Sequence, residues 1–135
     1  MSLDLQAERL YQQIELVRGP GRRATGHLCI MSLVAYLAGE RDNDQPNTAS
    51  PFIRQFAIQL NDKSPTALRQ ELKPFAPGII GTNDGYDFER AELVHKVMTE
   101  EVWPQVERDN AVRPNNVRAQ PTLGRFLFFA NTKLR

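Results

Sequence analysis

The chain has 135 residues, 41% of them hydrophobic, and 17 basic against 16 acidic residues give a formal net charge of +1. That length fits one domain with a real core, and the composition is that of a folded chain rather than a disordered one. A charge this close to zero gives no global attraction to nucleic acid or anionic membrane, and a single cysteine makes neither an internal disulfide nor a Cys-rich zinc site.

The opening "MSLDLQAERLYQQIELVRG" mixes acids and glutamines with its leucines, unlike a secretory signal. Leu3, Ala7, Leu10, Ile14 and Val17 recur at helical steps, with Tyr11 beside them, and predict one amphipathic helix. "RGPGRR" (18–23) ends it, since Gly19, Pro20 and Gly21 break the hydrogen-bond ladder. The run 28–38 is the longest apolar stretch and is too short to cross a bilayer, which takes roughly 20 residues, so a cytoplasmic protein off the membrane is expected.

That same run reads as a central helix packed on several sides. Burial of Leu28, Ile30, Met31, Leu33, Val34 and Leu37 stabilises by roughly 1.5–3 kcal/mol each before entropy is subtracted. Gly39 suits its left-handed C-terminal cap. In "ASPFIRQFAIQLND" Ser50 caps a third helix and Pro51 takes its first position, with Phe52, Ile53, Phe56, Ala57 and Leu60 on one face. "KSPTALRQELKPF" repeats the device with Ser64 and Pro65, and Pro74 ends it.

After the loop "FAPGIIGTNDG", "YDFERAELVHKVMTEEV" predicts a last long helix with Asp84 or Asp87 near its positive end. Phe88, Ala91, Val94, Met98 and Val102 are its expected buried stripe, and Pro104 is expected to kink or end it. No strand alternation stands out before residue 110. The expected fold is therefore all-α, a single bundle of about five helices around a buried central helix at 28–38. Residues 1–109 form that bundle and 110–135 form a basic, aromatic C-terminal segment. The split is one of charge: 1–109 holds 12 basic and 16 acidic residues, whereas the last segment holds Arg113, Arg118, Arg125, Lys133 and Arg135 and no acid.

Candidate chemistry gathers at "CIMSLVAYLAGERDNDQP" (29–46). Cys29, Ser32 and Tyr36 lie within about 60° of one another on a helical wheel and offer a thiol, a hydroxyl and a phenol, with Asp42 and Asp44 in the loop beyond. A reactive cysteine needs a neighbouring base, and spacing alone supplies none, so packing is the favoured reading of that edge. His27 and His95 are the available bases; His95 is placed on the apolar side of its helix as a core or boundary residue, and no zinc-protease spacing includes either. The loop "ERDNDQPNT" (40–48) concentrates oxygen donors for a hard cation through Asp42 and Asp44, but lacks the glycine and terminal glutamate of an EF-hand. No cofactor fingerprint is present. In the tail, Arg118, Arg125 and Lys133 interleave with Phe126, Phe128 and Phe129, a pattern that serves a nucleic acid or an acidic partner; docking of the aromatics on the bundle is the favoured reading, because consecutive Phe128 and Phe129 are costly to leave in water.

Over residues 26–82, the segments "CIMSLVAYLAGE", "DQP" (44–46), "ASPFI" (49–53), "ND" (61–62) and "GT" (81–82) occur in one order. In these the chain resembles a family of small, uncharacterised bacterial proteins, many from actinobacteria. The resemblance implies an all-helical cytoplasmic fold and carries no activity, cofactor or catalytic residue with it. Members of that family tend to show an acid where this chain has Ser32, a histidine where it has Gln45 and a cysteine where it has Thr48, so a polar or metal site there would be largely lost here. The expected function is a non-enzymatic interaction module working through its tail or its 40–50 loop, with a protein partner. An enzyme with its site near Cys29, Tyr36 and Asp44 is the alternative, and nucleic-acid binding through the tail a second one. Homo-oligomerisation stays open.

Overall fold

The computed structural model describes residues 3–112. Helix dominates, as the periodicity predicts: α1 (Leu3–Gln13), α2 (Ile30–Leu37), α3 (Pro51–Lys63), α4 (Thr66–Gln70), α5 (Ala76–Ile79), α6 (Asp87–Val97) and α7 (Trp103–Val112), the last two joined by a π turn at Met98–Val102. The all-α expectation needs one correction. A small three-stranded sheet sits between α1 and α2, built from β1 (Glu15–Leu16), β2 (Gly21–Arg22) and β3 (His27–Leu28) in the order β1-β3-β2.

The sheet explains why the first helix stops short. Instead of continuing through Ile14 and Val17, the chain leaves α1 after Gln13, and β1 runs parallel to β3 with Leu16 opposite Leu28. The amides of Glu15 and Val17 donate to the carbonyls of Gly26 and Leu28 at 2.9 Å each. Gly21 and Arg22 return antiparallel to Leu28 and His27, so "RGPGRR" is a strand-forming reversal and not only a helix stop. Leu28 accordingly belongs to the sheet, and α2 begins two residues later than the apolar run does.

α2 is the hub. Ile30, Met31, Ser32, Leu33, Val34 and Ala35 are all buried, and the core continues through Leu16, Leu28, Ile53, Ala57, Leu72, Ala76 and Ile79. α3 and α5 pack directly on α2, and α6 packs on α3. Gly39 takes the left-handed conformation at φ +74° after the last turn, as its position beyond the apolar run requires.

Polar side chains with distant partners lock these elements together. Asn61 of α3 is fully buried; its Oδ1 accepts the Ile30 amide at 3.0 Å and its Nδ2 donates to the Val17 carbonyl at 2.8 Å, so one side chain joins α3 to α2 and to the end of the sheet. Gln70 of α4 adds itself to the edge of β1, accepting the Leu16 amide at 2.9 Å and donating to its carbonyl at 2.7 Å. The buried Arg69 satisfies the carbonyls of Asn61 and Ser64 at the end of α3. Each makes good a backbone group that burial would otherwise leave without water.

The last helix departs from expectation at both ends. Phe88 is 72% exposed and not buried, whereas Arg90 and Val97 face inward. Residues 88 and 90 lie about 200° apart on a helix, so an inward Arg90 puts Phe88 outside. Pro104 does not end the helix. The Trp103 amide donates five residues back, to Met98, and this widened turn precedes the proline that cannot donate. Helix then continues past Asn110, where the tail was expected to begin, to Val112. The rest of that tail, including Arg118, Arg125, Phe126, Phe128 and Lys133, lies outside the described residues.

Candidate functional site

Cys29 is the N-cap of α2. Its Sγ accepts the Ser32 amide at 3.3 Å and meets the Ser32 hydroxyl at 3.3 Å, and the residue is 3% exposed. Burial pushes the thiol pKa up, the bonds with Ser32 pull it partly back, and the charge of Asp44 raises it a little further. A nucleophilic thiol needs the opposite environment, with its anion favoured. The polar edge Cys29–Ser32 thus closes on itself as a helix cap.

Tyr36 points elsewhere. It is half-buried beneath the Arg23 guanidinium, 5.0 Å from the ring centroid, and lines an open depression of about 260 Å³ with Leu10, Gln13, Ile14 and Thr25. Neither Cys29 nor Asp44 lines that depression. Arg23 donates twice to the Glu40 carbonyl at 3.1 Å and approaches Asp42 at 4.0 Å. His95 is exposed, not on the apolar side of its helix; its carbonyl accepts the Thr99 hydroxyl. His27, also exposed, lies 3.8 Å from Glu15. Among the described residues no group of three His, Cys, Asp or Glu side chains is arranged to hold a metal ion.

The acidic loop 40–50 has a definite architecture. The Glu40 carboxylate accepts the amides of Asn47 and Thr48, both at 2.9 Å, and ties the loop into a ring. Asn43 accepts the Gln45 amide at 2.8 Å, the local turn chemistry of an Asx motif. The far side of the loop is stitched to the segment before α6. Gly81 donates to Thr48 Oγ1, Asn83 donates through its amide to the Thr48 carbonyl and through its side chain to the Asn47 carbonyl, and the Ser50 amide donates to Thr82 Oγ1.

A charged network lies directly beneath. The Arg90 side chain is 3% exposed and grips Asp84 with two bonds of 2.7 Å while donating to the Thr82 carbonyl at 2.9 Å. Asp87, 3.4 Å from the same guanidinium, accepts the Ser50 hydroxyl and the Phe52 amide at the start of α3. Ser50 in turn accepts the Ile53 amide at 3.1 Å, the cap that "ASP" predicts. Asp87 stands at the positive end of its own helix and, through its carboxylate, at that of α3 as well. The Arg90 guanidinium holds the Asp84 carboxyl well below the usual range, at about 2.

On this rigid support Tyr86 is 47% and Phe88 72% exposed. The 40–50 loop, which the sequence marks, and the 81–88 segment, which it explains only as turn chemistry, therefore make one surface. The signal that could have found Phe88 is Arg90, two residues on, once it is counted as a buried cation.

Among the described residues no helix is long and apolar enough to cross a membrane. No family model, curated protein or solved structure matches the chain.

Proposed function

We propose that the protein is a non-enzymatic interaction module that binds a protein partner on the joined surface of the 40–50 loop and the 81–88 segment. One observation carries this reading: Phe88, with Tyr86 beside it, stands exposed on backbone fixed by the Arg90–Asp84–Asp87–Ser50 network. A large apolar ring on a rigid mount is the form of an interface anchor, because it buries much area while losing little conformational freedom on binding. Asp84, Asp87 and Glu89 around it favour a partner segment with basic residues at its rim. The resemblance over residues 26–82 belongs to the same proposal: it takes in the 40–50 loop and ends at Thr82, before Asn83, Asp87 and Phe88. The consumption of the Cys29 thiol in a cap speaks against the enzyme alternative.

The test is site-specific photo-crosslinking in the full chain, with the photoreactive residue at position 88 and, as control, at the exposed Gln59 on α3. One partner should be trapped at 88, not at 59, and Tyr86→Ser should abolish it while the melting temperature stays within a degree or two. Equal trapping at the two positions would defeat the reading.

A further inference from the structure

The far end of the last helix poses a separate question. Among the described elements, α7 packs extensively only on the π turn that leads into it. Met98, Val102 and Val106 recur at steps of four and are half-buried, with Trp103 beside them at 59% exposure. Glu100, Glu101, Glu107 and Asp109 surround this strip, all exposed. Residues 87–112 carry seven acidic and three basic side chains. An apolar helical strip inside an acidic frame selects an apolar segment inside a basic one.

We infer that the occupant is the chain's own C-terminal segment, residues 113–135, with Phe126, Phe128 and Phe129 laid against Trp103, Val102 and Val106. Charge complementarity picks it out: this segment has five basic residues and no acid. Reach allows it. Trp103 lies nine residues before Val112, about 14 Å along the helix, and the 14 residues from there to Phe126 span up to about 45 Å when extended. A second copy fits less well, since two such acidic helix ends would meet like charge to like. The same contact shelters consecutive phenylalanines that water would otherwise surround. The inference stands independently of the binding surface at Phe88, at the opposite end of the helix.

Trp103 is the only tryptophan, so its fluorescence in the full-length protein reads this contact alone. The intact chain should show blue-shifted emission and weak acrylamide quenching, unchanged on dilution. Replacing Phe126, Phe128 and Phe129 together by serine should move the emission to the red and raise quenching severalfold, with helical circular dichroism unchanged. Glu100→Lys with Glu101→Lys, which leaves every aromatic in place, should shift the emission in the same direction. Trp103 emission as red and as quenched as in the unfolded chain would overturn the inference. So would blue-shifted emission that the tail substitutions leave alone, or that fades on dilution as a second copy dissociates.

Discussion

Arg90 shows how much one side chain decides. Its burial turns α6 so that Val97 faces the core and Phe88 faces water, and its guanidinium holds Asp84, Asp87 and Thr82 in one arrangement. Removing one partner of a buried ion pair leaves the others without compensation, so Arg90→Ala should cost about 2–3 kcal/mol in urea unfolding, less than a fully dry pair because both carboxylates are a third exposed. The pH dependence has a definite sign. Asp84 titrates near 2 when folded against an ordinary 3.8, so its contribution is complete above pH 4 and disappears as the pH falls toward 2. Acid titrations of stability should therefore show a loss between pH 4 and 2 in the wild type that is smaller in Asp84→Asn. Sequence reading treats an arginine in an amphipathic helix as outward, because burial of its charge is affordable only where partners meet it, and those partners are settled by folding.

The elements divide by the range of the forces that make them. α3 was legible from "ASP" because its cap, its proline and its apolar face lie within one stretch of chain, and Gly39 after the apolar run was legible for the same reason. The sheet was not. Strands of two residues are too short to display alternation, and their hydrogen bonds join residues about a dozen apart, Glu15 to Gly26 and Val17 to Leu28. Gly21 gives this a testable form. It holds φ +71° in β2, and a Cβ there would stand 2.0 Å from the His27 carbonyl oxygen. Gly19, at φ +74°, has open space around it. Gly21→Ala should therefore cost at least about 3 kcal/mol by thermal or urea unfolding, against about 1–2 kcal/mol for Gly19→Ala, which suffers only the left-handed backbone penalty.

Among the described residues the gradient of packing runs from α2, enclosed by α3, α5 and β3, to α7, which leans on the π turn before it. Opening free energy follows that gradient. Amide hydrogen exchange should leave residues 32–37 protected to near the global stability, and Asn61→Ala should lower the protection of α2 with little effect on α7. The candidate surface belongs to this scale as well. Glu40, Thr48 and Ser50 come from one stretch and Asn83 and Asp87 from another, and only their mutual hydrogen bonds make a single face of them.

The sequence by itself determined a mostly helical chain with a greasy hub, the caps at Ser50 and Gly39, and an acidic body before a basic, aromatic end. Tertiary structure alone decided that the first helix yields to a sheet and which side of α6 meets water. The division has a physical cause. Helical turns and caps are satisfied by groups within a few residues of one another, whereas polar groups of the sheet and the helix junctions are satisfied by side chains as far as 54 residues away, and their positions exist only once the chain has closed.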